Sequence, residues 1–324
     1  MIRFLLVSLL VVAATSSALD HASEFYAFKL KHGKTYKNQV EETKRFNIFK
    51  SNIEKIASHN ARYEQGLATY TLGINQFADM TAEEFSTMLG YQSANKPKLN
   101  ITGTFKKPEG VEIPDSIDWR EQNRVTAIKN QGSCGSCWAF SITGSTEGAY
   151  ARKTGNLVSL SEQQLIDCTT DFNSGCAGGY LEKNFVYVTS DGLQSESSYP
   201  YEGVDNSCKY DASKVVTRVS SYVTIFYDEQ ELRNAVGTVG PVSVGINAGF
   251  LQLYSGGIFH EELCNPMHLN HAVLVVGYGS ENGEEYWIVK NSWGTSWGEE
   301  GYFRFKFGVD ECGINTDNVY PIID

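Results

Sequence analysis

The chain has 324 residues, 41% hydrophobic and 20% charged, an ordinary globular composition with ample apolar material for a core. Its formal net charge of −11 argues against nonspecific nucleic-acid binding as a main task. The charge is uneven, because residues 1–112 hold 14 basic and 11 acidic side chains while residues 113–324 hold 13 and 27, so a basic leader is expected to attract an acidic body.

At the amino terminus, Arg3 precedes an apolar run from Phe4 to Ala14, and Ser16-Ser17-Ala18 offers small residues for cleavage. The run is shorter than the ~20 residues a membrane span needs, so residues 1–18 read as a removable signal peptide. No later segment is long and apolar enough to cross a bilayer. Residues 19–112 are Lys-rich, helical in pattern and free of cysteine. Within them Glu41, Arg45, Phe49, Asn52, Ile56 and Asn60 recur every three or four residues, which keeps them on one helical face. Glu41 and Arg45 are spaced for an ion pair one turn apart. Residues 92–112 contain Pro97, Pro108 and four lysines, and they read as an exposed, cleavable linker. That linker holds the chain's one N-x-[ST] sequon, Asn100-Ile101-Thr102, a candidate glycosylation site.

Residues 113–324 hold all seven cysteines and all five tryptophans. Helices are expected over 137–153 and 162–168, the second opened by Ser161 with Gln164 in the capping-box position. Beyond about 214 the texture changes to strands: Val242–Val244, Ala272–Val276 and Tyr286–Lys290, broken by Gly256-Gly257, Gly277 and Asn282-Gly283. A helical half followed by a β half, with a cleft between, is the expected α+β architecture.

Cys137 stands in a Gly/Ser loop that runs into Trp138-Ala139-Phe140, where a loop becomes a helix. The free N–H groups and dipole of a helix start favour an anion there, and a thiolate is the form of cysteine that attacks carbonyls. Among six histidines, His21, His32 and His59 lie in the leader, and His260 and His268 sit in a polar segment and read as solvated. His271 directly precedes the apolar strand and is the candidate partner. If the strands fold back about Glu281–Asn282, position 271 falls opposite about 292, which brings Asn291 within one residue of His271. The Asn291 carbonyl could then orient one imidazole nitrogen and aim the other at the thiolate. Gln131, six residues before Cys137, could supply an amide N–H to a developing oxyanion beside the Cys137 N–H.

Two other readings were weighed. Cys134-x-x-Cys137 could be half of a zinc site or a redox pair, but there is no second C-x-x-C and the leader contradicts a cytosolic setting. The chain could also be an inhibitor, but that requires a damaged site, and Gln131, Cys137, His271 and Asn291 are all in place. No metal or cofactor is expected.

Gln131-Gly132-Ser133-Cys134-Gly135-Ser136-Cys137-Trp138 resembles the active-site signature of the papain family of cysteine proteases, nearest its cathepsin L-like branch. The helical face from Glu41 to Asn60 and Gly73-Ile74-Asn75-Gln76-Phe77-Ala78-Asp79 resemble the two propeptide elements of that branch, and Ile113–Trp119 resembles a mature amino terminus. The resemblance implies an inhibitory propeptide at 19–112 and a papain-like, two-lobed peptidase at 113–324, with a helical lobe and an antiparallel β-barrel-like lobe. It implies a Cys137–His271–Asn291 triad, with Trp293 shielding the His–Asn bond. Seven cysteines imply one free thiol, and spacing cannot choose among the pairings of the rest. The resemblance implies Cys134–Cys176, Cys168–Cys208 and Cys264–Cys312.

It further implies that Gly178 and Gly179 pair with an extended peptide and that Gly135 keeps the backbone beside the nucleophile accessible. Leu181, Gly245, Leu269, Ala272 and Asp317 would line the pocket for the second residue before the scissile bond, favouring apolar side chains. Asn270 replaces the usual aspartate before the histidine. Asp317 places a carboxylate where cathepsin L has a small apolar residue, which would let the pocket take Arg or Lys as well. Protein and peptide substrates, the chain's own propeptide and cystatin-like inhibitors are the implied partners of a monomer in the lysosome or outside the cell. Activation is expected on acidification, as carboxylates including Asp79 are protonated.

Overall fold

The computed structural model describes residues 21–92, 104–225 and 227–324, so the expected signal peptide 1–18 and the Asn100 sequon lie outside the described residues. Residues 21–32 form helix α1. Helix α2 runs Gln39–Glu64, with the Asn38 side chain accepting from the Glu41 N–H at its start and Glu41 and Glu42 in its first turn. After strand β1 (Tyr70–Leu72) comes the short helix α3 (Ala82–Ser86). A complete capping box starts it: Thr81 Oγ1 accepts from the Glu84 N–H at 3.1 Å, and Glu84 Oε2 accepts from the Thr81 N–H at 3.0 Å.

The expected face of α2 grips the chain that follows it. Arg45 reaches Glu41 Oε1 and Glu84 Oε2, both at 2.6 Å, and donates to the Asp79 carbonyl at 3.0 Å. Asn52 donates to the Ala78 and Met80 carbonyls, and Asn60 both donates to Leu72 O and accepts from its N–H at 2.9 Å. Phe49 is fully buried between them.

Downstream follow strand β2 (Ile117–Asp118) and helices α4 (Cys137–Thr154), α5 (Glu162–Cys168) and α6 (Glu182–Ser190). Then come β3 (Leu193–Gln194), β4 (Val215–Thr217), β5 (Ser221–Ile225), helix α7 (Glu229–Thr238) and β6 (Val242–Ile246). The remaining strands are β7 (Tyr254–Phe259), β8 (His271–Glu281), β9 (Glu284–Lys290), β10 (Tyr302–Lys306) and β11 (Asn318–Ile322). Helix α4 is buried along most of its length, the polar Ser141, Thr143, Ser145, Thr146 and Glu147 included, and stops at Gly155 in the left-handed conformation, φ 78°. It lies on β8: Ser141 Oγ donates to Val273 O at 2.7 Å, and a Cβ at Gly144 would come 2.8 Å from Leu274 Cδ2.

Among the described residues nine strands form one sheet in the order β1-β7-β10-β9-β8-β6-β11-β5, with β2 on β8, so the leader's β1 completes the edge beside β7. Among the same residues, apolar burial forms two large clusters and a small third one at Leu274, Val276 and Ile288. One large cluster joins α4, α5 and α6 through Trp138, Ile142, Leu165 and Phe185; the other fills the sheet lobe around Trp287, Phe303 and Phe305 and includes the leader's Phe25, Phe28 and Phe77. Among the described residues no helix is long and apolar enough to cross a membrane.

Several expectations need correction. Ser161 does cap α5, but Gln164 does not return to it; its amide donates to Gly192 O and the Tyr187 hydroxyl and accepts from the Gln194 N–H. The strand-rich half contains α7, started by Asp228 accepting from the Glu231 N–H, with Leu232, Ala235 and Val236 buried on its inner face. The β8–β9 hairpin turns at Asn282-Gly283, both with positive φ, one residue later than expected. A bulge between Val275 and Gly277 then shifts the pairing by one, to Leu274 opposite Lys290. Continued to the strand start, that register sets His271 opposite Trp293 rather than 292, with Asn291 its diagonal neighbour on the same face.

Candidate active site

Cys137 is the first residue of α4 and the unpaired cysteine; the other six form Cys134–Cys176, Cys168–Cys208 and Cys264–Cys312. The backbone N–H groups of Ala272, Gly90, Trp138 and Cys137 itself are directed at its sulfur, two of them from the helix start. The thiol is nonetheless pushed up to about 11, because burial outweighs those donors. His271 is also fully enclosed, and burial lowers it to about 4 against the raising effect of Asn291. In this covered state the pair is therefore a neutral thiol and a neutral imidazole.

His271 and Asn291 meet at 2.8 Å between Nε2 and Oδ1, and His271 Nδ1 is left without a hydrogen-bond partner. Trp293 stacks on the imidazole, rings 4.6 Å apart, and seals the bond from solvent. Gln131 is almost fully buried, with its amide oxygen accepting from Ser292 Oγ at 2.7 Å. Its Nε2 donates to Cys134 O at 2.9 Å and to Met88 O of the leader at 3.2 Å. His260 is not a simple surface group: its Nδ1 lies 2.7 Å from Glu311 Oε2, a nearly buried carboxylate. His268 is exposed.

Leader residues cover the nucleophile. Gly90 O accepts from the Gly179 N–H at 2.9 Å, Gln92 N–H donates to Gly179 O at 3.0 Å, and Tyr91 N–H donates to Asn270 O at 3.0 Å. The segment therefore pairs with Gly179, in parallel. A Cβ at Gly90 would come 1.8 Å from Gly135 O and one at Gly135 2.6 Å from Cys176 O, so only bare backbone passes over the thiol. Gly178 is equally tight, with a Cβ there 2.6 Å from Gly90 O. Tyr91 fills an apolar pocket: a Cβ at Gly245 would meet Tyr91 Cε1 at 2.7 Å and Leu269 Cδ1 at 3.3 Å, and Leu181 and Ala272 share the cluster. At the back of that pocket Asp317 O accepts from the Gly245 N–H at 2.9 Å, and burial pushes its carboxyl up to about 7. Asn270 uses its neutral amide structurally, accepting from the Ala248 N–H at 2.9 Å.

Trp293 also anchors the leader, with Phe77 and Phe85 edge-on at 5.6 and 5.2 Å and Gln76 Nε2 donating to its carbonyl at 2.6 Å. Sequence reading missed Met88, Gly90 and Tyr91 as site residues, because they lie just beyond the recognisable Gly73–Asp79 element and carry no periodic pattern. It missed Ser292 as well, although that residue adjoins Asn291 in the chain.

Comparison with known proteins gives the same picture. Residues 113–322 match the papain family cysteine proteases, and residues 25–85 match the cathepsin propeptide inhibitor domain. The chain is 45% identical over 338 residues to cathepsin L of Sarcophaga peregrina, covering 99% of this chain and 100% of that one. It is 45% identical over 304 residues to digestive cysteine proteinase 1 of Homarus americanus, covering 91% and 93%. The solved digestive procathepsin L 3 of the Tenebrio molitor larval midgut superposes with a TM-score of 0.88 at 45% identity, covering 94% of this chain and 99% of that one. A buried cysteine at a helix start, a His–Asn pair facing the same cleft and a leader laid through it agree with these matches: the chain belongs to the papain family of cysteine proteases, as a cathepsin L-like enzyme with its propeptide in place.

Proposed function

We propose that the chain is the zymogen of a cysteine endopeptidase in which Cys137, His271, Asn291 and Gln131 carry the chemistry. The observation that carries this reading is the free cysteine at the first residue of α4, where the N–H groups of Ala272, Gly90, Trp138 and Cys137 favour its thiolate, together with an imidazole oriented by Asn291 at 2.8 Å. Removing the leader readmits water and relieves the burial that holds both groups neutral, so the proton moves from sulfur to His271. The thiolate attacks the scissile carbonyl carbon, and the Cys137 N–H and Gln131 Nε2, the latter released from Met88 O, donate to the oxyanion. His271 returns its proton to the departing amine, leaving a thioester; it then takes a proton from water as hydroxide attacks, and the acid product and free thiol follow. The test is labelling with an epoxide inhibitor of cysteine proteases. The processed enzyme is expected to lose all activity on modification of Cys137 alone, and the zymogen to resist labelling because Gly90 covers the sulfur. Activity surviving complete modification of Cys137, or lost instead to a chelator, would remove the reading.

The apolar walls of the Tyr91 pocket support a preference for Leu, Phe or Val at the second residue before the cut. Asp317 supports basic residues too, in a pH-dependent way. A carboxyl raised above its usual value is neutral in acid and ionises as pH rises. The cleavage ratio of Z-Arg-Arg to Z-Phe-Arg reporter peptides is therefore expected to climb between pH 4.5 and about 7 and to flatten in Asp317→Ala. An unchanged ratio in the variant would end this assignment.

Residues 1–18 serve as a signal peptide, and cleavage near Ile113 frees the peptidase in the lysosome or outside the cell. Residues 106–112 are exposed, with Gly110 at φ 75°, which supports access to that cut. For acid release, Glu84 is not the trigger. Against the upward push of burial, Lys44, the Thr81 N–H and Arg45 hold it at about 2, so its clamp survives at pH 4–5 and fails only as pH falls through that value. Asp79 accepts from Lys34 Nζ and the Tyr36 hydroxyl, both at 3.0 Å, and so ties the segment before α2 to the Gly73–Asp79 element. The released cleft would be the surface that cystatin-like inhibitors occupy on a monomeric enzyme.

A further inference from the structure

Behind the loop that carries Gln131 and Cys137 stands Tyr201. Its hydroxyl is 2.7 Å from the Gln131 carbonyl and 2.7 Å from Ser136 Oγ. A carbonyl can only accept, so the phenol donates to Gln131 O and the Ser136 hydroxyl donates to the phenol oxygen. The ring is held edge-on to Phe140 with centroids 5.0 Å apart, and the Tyr201 N–H donates to Glu196 Oε1 at 2.8 Å. Burial pushes the phenol up to about 12, so it keeps its proton throughout the working range of a protease.

Ser136 is unusual for its position. A serine preceding a helix ordinarily turns its oxygen onto the free N–H groups of the first turn. Ser136 makes no such bond; besides Tyr201 its hydroxyl has only a long, 3.5 Å approach to Cys134 O. The N–H of Trp138, one of the two that such a cap would take, is thereby left for the sulfur. On the opposite side, Gln131 N–H donates to Ser292 O at 2.8 Å, and Ser292 Oγ fixes the amide oxygen. Gln131 is thus gripped from β9's exit on one side and from Tyr201 on the other.

We propose that Tyr201 is a positioning residue for the oxyanion donors: by tying the Gln131 carbonyl to the Ser136 hydroxyl, it fixes Gln131 Nε2 and the Cys137 N–H relative to each other and keeps Ser136 off the helix end. The proposal rests on the assignment of those two groups as oxyanion donors. Because such donors act through geometry, a small displacement of one is costly to the chemical step and nearly neutral to substrate binding.

Tyr201→Phe keeps the ring packing and removes only the hydroxyl. The full chain, its variant, Gln131→Ala and the double variant would each be processed by an added aspartic protease, so that self-activation is not required. Tyr201→Phe is expected to lower kcat roughly tenfold with KM within about twofold. Alkylation of Cys137 by iodoacetamide, which develops no oxyanion, is expected to keep its rate. In the Gln131→Ala background, which keeps the carbonyl that Tyr201 binds but lacks Nε2, the same substitution should cost less than about threefold, since only the Cys137 N–H is left to be displaced. Ser136→Ala, which cuts one arm only, should show the same signature more weakly. An unchanged kcat, a parallel fall in kcat and alkylation, or a full tenfold loss on top of Gln131→Ala would each overturn the proposal. Failure of Cys137 to react in the unsubstituted enzyme would instead bring down the catalytic assignment, and this inference with it.

Discussion

Cys137→Ala is expected to lower kcat by about 10⁵- to 10⁶-fold, the scale reached when the nucleophile of a protease triad is removed. The oxyanion donors, the His271–Asn291 pair and the cleft all remain in the variant, so substrate still binds and KM should hardly move. What is lost is the step that forms a thioester, and no neighbouring side chain can replace it, since Cys137 is the one cysteine outside a disulfide. The same variant reports on activation. Incubated at pH 4–5 it should stay at zymogen length for hours, and a trace of unsubstituted enzyme should then process it. Progress curves with a reporter peptide and a denaturing gel read both outcomes. A residual rate of more than about one part in a hundred would remove Cys137 from the mechanism, and equal processing of the variant alone would assign the cut to another protease.

Lys129→Met is expected to destabilise the fold by about 3–5 kcal/mol, lowering the melting temperature by roughly 10 °C. Lys129 Nζ lies 2.9 Å from Glu147 Oε1 and 2.6 Å from Glu162 Oε1, and both carboxylates are essentially fully buried. It also donates to Leu160 O at 3.1 Å. Lys290 completes the cluster through Thr126, which donates to Glu147 Oε2 at 2.6 Å and accepts from Lys290 Nζ at 2.9 Å. The four charges do not behave alike. Burial drives Glu162 up and Lys290 down to about 8, whereas for Glu147 the two lysines overcome burial and hold it below the usual carboxylate range. Without Lys129 two enclosed carboxylates share one more distant ammonium, and the favoured escape is to bind a proton. A carboxyl raised in the folded state costs stability above its unfolded value, so the deficit should be small near pH 4.5 and grow towards pH 8. Melting curves at several pH values check this. A deficit under about 1 kcal/mol, or one that does not change with pH, would show that the cluster contributes no net pairing energy.

The parts of this protein that could be read from sequence are those encoded locally. The face from Glu41 to Asn60 was legible because helical period alone places those residues together, and the structure adds only what each one grips. Helices α4 and α5 were expected as well, the second from the Ser161 cap signal, and the core strands β6, β8 and β9 from apolar runs broken by glycine and asparagine. The approach of Asn291 to His271 followed from a hairpin with a strong turn signal, although the bulge in β8 moved the register by one residue. Helices α3 and α7 could have been found from Thr81-x-x-Glu84 and Asp228-x-x-Glu231, which are local cap signals passed over.

What the tertiary structure alone decided is everything that depends on burial or on contacts between distant segments. No pattern near Gly90 and Tyr91 says that they lie over Cys137, because that placement is set by the fit of the leader against residues 135, 179 and 245, far along the chain. The pairing of His260 with Glu311, the charge cluster at Lys129 and the Tyr201 link between Gln131 and Ser136 join residues 18 to 164 positions apart. Residue type and spacing specify which groups can ionise or donate; only the enclosing fold sets how much water each one keeps, and so which charges persist and which way each proton points.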